Sequence, residues 1–270
     1  LKKNKKFSFI KHDILEPLNS SILIEKIWHL ASPASPNFYQ NDPIRTIRVN
    51  YEGTFNILNL AKHHKSRILF TSTSEVYGET KNFMQEEDMP ITLSTFSPRA
   101  CYSEGKRIAE TLINLYREEY SLEIRIARIF NTYGPRLNIN DGRVISNFVK
   151  QCLLGDKLTI YGDGTQTRSF CYVSDLIEGL FDLMESNYFY PINIGNEEEI
   201  SIIELAELIK TNINKKIIFE YRNLPLDDPE RRRPCLKKAK KYLNWRPEIS
   251  LIDGLKQTIS SYKDIFRYKD

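Results

Sequence analysis

At 270 residues, with 41% hydrophobic and 27% charged side chains, the chain is long enough to bury a core without disulfide staples and lacks the bias of disordered or collagen-like sequences. Its 39 basic against 35 acidic residues leave a net charge of +4, too little over this length to indicate wholesale binding to nucleic acid or lipid. No run approaches the roughly 18 apolar residues of a membrane helix; a cytoplasmic protein without nucleic-acid partner or membrane segment is expected, with a membrane leader ahead of Leu1 left open.

Taken in chain order, residues 7–10, 26–30, 67–71 and 124–128 have the pattern of short strands. Between them, Ile44, Ile47, Tyr51, Phe55, Leu58 and Ala61 recur at three- and four-residue spacing, which predicts a helix from Pro43 to about His64. Ile108, Leu112, Leu115 and Tyr116 predict another over 102–120. Such alternation is the signature of βαβ units and a parallel sheet, whose ligands sit at the carboxyl ends of the strands. Beyond about Asn131, turn-rich stretches separate shorter helices and suggest a smaller second domain. Ser201 and Glu204 form a capping box opening a helix through Lys210, and Ser250 can cap a last helix through about Tyr262.

Cys101, Cys152, Cys171 and Cys235 make no CxxC pair, so free thiols in a reducing compartment fit best, and the four histidines offer no HExxH. Adjacent His63 and His64 are expected to face solvent, and no metal is expected.

Tyr102 and Lys106 stand four apart on the predicted helix, so both project from one face about one turn apart. An ammonium beside a phenol favours the phenolate, which could take a proton from a substrate hydroxyl while hydride leaves the same carbon. Tyr77 and Lys81 share the spacing, but Gly78 and polar neighbours favour a turn there. The run Thr71-Ser-Thr-Ser-Glu-Val-Tyr-Gly78 follows a strand directly and places hydroxyls and one carboxylate at the sheet's carboxyl edge; alone, it could equally be a loop capping its own backbone.

Together with His29-Leu-Ala-Ser-Pro-Ala-Ser35, Pro98-Arg-Ala-Cys-Tyr-Ser-Glu-Gly-Lys-Arg107, Ala127-Arg-Ile-Phe-Asn-Thr-Tyr-Gly-Pro-Arg136, Asn140-Asp-Gly-Arg143 and Gln166-Thr-Arg168, these residues make the chain resemble the extended short-chain dehydrogenase/reductase family from about His12 nearly to its end. Within that family it is similar to the UDP-glucuronate decarboxylases. Related dehydratases place Asp-Glu where this chain has Ser74-Glu75, and 4-epimerases lack that glutamate. Arg231-Arg-Arg-Pro234 is similar to the basic stretch from which the decarboxylases supply an active-site arginine, matching Arg232.

The resemblance implies an α/β fold: a Rossmann-like doubly wound parallel sheet, N-terminally incomplete, with a smaller C-terminal α/β domain. Residues 1–135 plus 169–195 would bind NAD, and 136–168 plus 196–270 the nucleotide sugar. It implies decarboxylation of UDP-glucuronate to UDP-xylose through a UDP-4-keto sugar, with NAD as a recycled oxidant. Tyr102 would be the base and Lys106 its partner, with Thr73 or Ser74 bonded to the reacting oxygen and Glu75 and Arg232 attending the carboxylate. Asn131, Arg143, Tyr161, Gln166 and Arg168 would hold the nucleotide sugar. Asp13, Ile14, Leu30, Ser32 and Thr71 would contact NAD, together with Tyr102 and Lys106. A homodimer through the 43–64 and 102–120 helices is implied as well.

One departure is large. The chain contains no GxGxxG and no strand-end acidic residue about 20 positions after one. The first strand, helix and second strand are expected ahead of Leu1, and the chain as written is expected to bind NAD poorly and turn over little. Another nucleotide-sugar oxidoreductase (a 4-epimerase, a 4,6-dehydratase, or a decarboxylase releasing the keto sugar), an inactive fragment, and a nucleotide- or nucleic-acid-binding scaffold resting on the basic clusters at 2–6 and 231–241 stay open as alternatives.

Overall fold

The protein is described by a computed structural model that covers residues 4–78, 84–224 and 231–267. The chain runs through β1 (Lys26–His29), α1 (Pro36–Tyr39), α2 (Pro43–Arg48), α3 (Thr54–His64), β2 (Arg67–Thr73), α4 (Ala100–Tyr120), β3 (Ile124–Ile129) and β4 (Thr132–Tyr133). It continues with α5 (Val144–Leu154), β5 (Leu158–Tyr161), β6 (Thr167–Ser169), β7 (Cys171–Tyr172), α6 (Val173–Glu185), β8 (Ile192–Ile194) and β9 (Glu199–Ser201). Then follow α7 (Ile202–Ile213), β10 (Phe219–Arg222), β11 (Arg231–Arg232), α8 (Lys237–Leu243) and α9 (Leu251–Arg267).

Four strands pair in parallel in the order β1-β2-β3-β8. Strand β2 is buried from Ile68 to Thr73, as a central strand covered on both faces must be. Its pleat sorts the side chains: Ile68 and Phe70 enter a core with Leu58, Ala61 and Ile113 from α3 and α4, whereas Leu69 enters one with Leu180 and Leu183 of α6 and Ala239 of α8. Helices thus cover both faces, and the fold is α/β and Rossmann-like. A second core gathers Phe148 of α5, Leu158 and Ile160 of β5, Leu205 and Ile209 of α7 and Tyr262 of α9. Residues 237–245 pack on the main sheet; Gly179 of α6 admits the Trp245 ring so closely that a Cβ would stand 2.8 Å from it.

The structure departs from the sequence expectations at two places. Residues 7–10 form no strand, and Phe9 and Ile10 are 71% and 69% exposed. The free edge of β1 carries no strand among the described residues, so this run has no ladder to join. The helix expected from Pro43 to His64 forms over that span but widens into a π turn at Val49–Gly53. There Asn50 donates to the Thr46 carbonyl (2.9 Å) and accepts from Ser32 (3.0 Å), while Gly53 leaves room for Ile14, whose Cδ1 would lie 2.5 Å from a Cβ. Tyr77 sits in a 3₁₀ turn, buried and donating to Asn193 at 2.6 Å, and Lys81 lies outside the described residues. The Ser201–Glu204 capping box forms, and Ser250 accepts from the Asp253 amide at 3.2 Å. The four cysteines are unpaired. Among the described residues no helix is long and apolar enough to cross a membrane, and no group of His, Cys, Asp and Glu could hold a metal.

Candidate active site

Four consecutive small hydroxyl residues, Thr71 to Ser74, all buried, run from the end of β2 into the turn that follows it. The Thr73 hydroxyl accepts from the Glu75 amide at 3.2 Å, which ends the strand and turns the Glu75 carboxylate outward. Helix α4 packs beside this end, and its first turns carry Tyr102 and Lys106. The Lys106 ammonium donates to the Thr71 carbonyl at 2.7 Å and lies 5.9 Å from the centre of the Tyr102 ring. Helix and strand are thereby locked at the sheet's carboxyl end, where an open α/β sheet binds its ligands.

A cavity of about 620 Å³ opens over this junction, within the range of small-molecule sites. Every residue assigned to catalysis lines it: Thr73, Ser74, Glu75, Tyr102, Lys106 and Arg232. So do Leu30, Ser32 and Thr71 among the expected cofactor contacts, and Asn131, Arg143, Tyr161, Gln166 and Arg168 among the expected substrate contacts. Asp13 and Ile14 stand outside it. The Asp13 carboxylate is taken by Arg45 and by the Leu15 amide (3.1 Å), and Ile14 is packed against Gly53. Arg45 borders an adjoining hollow of about 450 Å³ that shares Ser32, Ala34 and Arg143 with the main cavity.

Two residues not singled out from sequence complete the site. Arg99, three positions ahead of Tyr102, approaches a Glu75 carboxylate oxygen at 3.5 Å, and Arg232 approaches the same oxygen at 3.7 Å. Its place on the same helical face as Tyr102 was a usable signal. Tyr39 stacks flat on Tyr102, with ring centres 4.9 Å apart and planes 2° apart, and its buried hydroxyl finds no acceptor among the described residues. It comes from α1, 63 positions away by number, and no local pattern marks it.

The electrostatics of Tyr102 are set by opposing influences. Burial pushes the Tyr102 phenol up, and the Glu75 carboxylate pushes it the same way; the Thr73 hydrogen bond and the cations of Arg143 and Arg232 oppose them. The Lys106 ammonium is directed to the Thr71 carbonyl. Lys106 itself is pushed down to about 7 by burial, against the pull of Glu110.

The donor set suits one end of a dinucleotide cofactor. Lys106 has N–H groups beyond the one given to Thr71, hydroxyls floor the cavity, and Leu30 supplies an apolar wall. The sequence has no glycine-rich phosphate turn, so these residues fit the nicotinamide–ribose end and not the pyrophosphate.

A family model described as GDP-mannose 4,6 dehydratase matches residues 1–258. UDP-glucuronic acid decarboxylase 3 of Arabidopsis thaliana is 52% identical over 250 residues, covering 93% of this chain and 72% of that protein. UDP-glucuronic acid decarboxylase 1 of Danio rerio is 49% identical over 256 residues, covering 95% of this chain and 61% of that protein. Among solved structures, UDP-glucuronic acid 4-epimerase from Bacillus cereus in complex with NAD superposes with a TM-score of 0.86 at 31% identity, covering 98% of this chain and 82% of that one.

Proposed function

The chain belongs to the GDP-mannose 4,6 dehydratase family, and from that premise we propose that it is a UDP-glucuronate decarboxylase, converting UDP-glucuronate to UDP-xylose and CO2 with NAD as a recycled oxidant. The observation that carries this reading is the Glu75 carboxylate set between Arg99 and Arg232, in the cavity that also holds Tyr102. An acid flanked by two cations suits a substrate that brings its own carboxylate, and relatives at about 50% identity carry the decarboxylase name.

Direct loss of CO2 from the sugar acid would leave a bare carbanion, whereas a ketone at C4 stands β to the carboxylate and lets the departing electrons enter an enolate. When bound, NAD supplies the acceptor and later the donor of the C4 hydride, and its oxidised ring carries positive charge. Tyr102 takes the 4-hydroxyl proton as C4 is oxidised and gives it back when C4 is reduced. Thr73 or Ser74 bonds the reacting oxygen, and Lys106, anchored on Thr71, holds the ribose beside the phenol. Glu75 and Arg232 orient the carboxylate and attend protonation at C5. Arg143 and Arg168, with Asn131, Tyr161 and Gln166, bind the nucleotide sugar, arginine matching diphosphate in fork geometry. Residues 1–135 and 169–195 carry the cofactor half and 136–168 and 196–270 the nucleotide half, apart from 237–245 on the main sheet. Two copies associate through α2, α3 and α4, whose outer apolar side chains are exposed.

Replacing Tyr102 by Phe in the full chain tests the chemistry. Formation of reduced nicotinamide from UDP-glucuronate is expected to fall about 10²- to 10⁴-fold with UDP affinity retained; undiminished turnover removes Tyr102 as the base. Product analysis tests the class. UDP-xylose with CO2 is expected, and the C4-inverted sugar with its carboxyl group retained would place the chain among epimerases instead.

A further inference from the structure

Arg232 enters the cavity from β11, a strand of two residues. Its Nη1 stands 3.7 Å from Glu75, and its buried Nε meets no acceptor among the described residues. That carboxylate therefore does not clamp it, and its direction is set by the strand that bears it.

Register shows how. β11 pairs in parallel with β6, Arg231 opposite Thr167 and Arg232 opposite Arg168. β6 pairs antiparallel with β9, so that Ser169 faces Glu199. Side chains alternate faces along a strand, which puts Arg232 and Arg168 on the cavity face and Arg231, Arg233, Thr167 and Glu199 on the other. The contacts agree. Glu199 accepts from the Thr167 hydroxyl at 2.7 Å, pairs with Arg231 (Nε at 3.0 Å), and stands 3.5 Å from Arg233. One carboxylate, 12% exposed, therefore grips the residues on both sides of Arg232. The Arg231 hydrogen bond holds Glu199 below the usual carboxylate range, so it is charged at neutral pH. It is also the counter-charge for the Arg231 and Arg233 guanidinium groups, which would otherwise repel one another on that face.

We propose that Glu199 is a positioning residue for decarboxylation: by holding Arg231 and Arg233 on the outer face of β11 it fixes the rotation that aims Arg232 at Glu75 and the substrate carboxylate. This rests on the assignment of Arg232 above. A misplacement of about 1 Å at a reacting group can cost on the order of 10²-fold in rate, so the grip is expected to act on kcat.

The test is a double-mutant cycle in the full chain with UDP-glucuronate, following CO2 release, UDP affinity and thermal midpoint. Glu199→Gln is expected to lower kcat about 10- to 100-fold, with KM and UDP affinity little changed and with partial recovery in Glu199→Asp. Arg231→Gln, at a more exposed position, loosens the same grip from the other side and should reproduce the loss. In an Arg232→Gln background, Glu199→Gln should add nothing, because the residue it acts through is gone. Wild-type kcat in both Glu199→Gln and Arg231→Gln, or an equal further loss in the Arg232→Gln background, overturns the proposal alone. Full kcat in Arg232→Gln removes the assignment beneath it.

Discussion

Burial pushes Lys106 down to about 7 from an ordinary 10.5, a consequence of placing an ammonium between helix and sheet with one carbonyl acceptor at 2.7 Å. The groups facing it are Glu110 on its own helix, which pulls the other way, and His29 on β1, held largely neutral by its own burial. The sign for stability follows from proton counting. Between pH 7 and 10.5 the unfolded chain binds more protons at this lysine than the folded one, so its cost falls as pH rises through that window and is present in full below it. Lys106→Met is therefore expected to be inactive yet more stable at pH 7, by about 1–4 kcal/mol, with the difference in thermal midpoint shrinking toward pH 10. A lower midpoint at every pH would contradict this. Tyr102 makes the complementary point: its phenol is pushed up by burial and by Glu75, and the Thr73 hydrogen bond and the cations of Arg143 and Arg232 draw it back toward phenolate.

Helix α4 aligns Tyr102, Lys106 and Glu110 at four-residue steps. The third of these is its anchor to the sheet: Glu110 pairs with Arg128 of β3 at 2.7 Å, both nearly buried, and accepts from Ser72 of β2 at 2.5 Å. The opposite flank leans on the π turn. Gly105 stands so near that an added Cβ would lie 3.0 Å from the Asn50 Cβ, and Asn50 is itself held by Thr46 and Ser32. Gly105→Val should push the helix off the π turn, costing about 1–3 kcal/mol and shifting the adjacent Lys106 enough to depress turnover. An unchanged thermal midpoint would show that this flank gives way freely. The π turn itself was not legible in sequence, because its apolar side chains keep helical spacing, while its cause is a set of contacts to residues 14 and 32 and to α4.

Ile47, Tyr51, Phe55, Ile108 and Leu115 are each at least 40% exposed, on helices that pack beside one another. Exposed apolar side chains on adjoining helices would suit the association of two copies proposed above. Phe55→Glu with Leu115→Glu is expected to convert a dimer into a monomer in sedimentation while preserving the helical content; sedimentation identical to that of the unmutated chain would remove this face as the interface.

Three strands of the main sheet, its parallel character and most residues that line the cavity could be read in advance, because period-2 and period-3.6 patterns, a hydroxyl-rich strand end and a Tyr-Lys step are local properties of neighbouring residues. Residues 7–10 show the limit of that reading: strand propensity was present at Phe7 and Phe9, yet a strand exists only where another offers its edge. Distant partners were likewise invisible. Tyr39 stacked on Tyr102 and Glu199 gripping the strand that carries Arg232 are meetings of segments far apart in the chain. Covalent order thus determined which chemical groups the protein has and which local elements carry them. Packing of helices on a twisted sheet decided which of those groups face one another, and how far burial moves their charges, because both depend on neighbours that no local window contains.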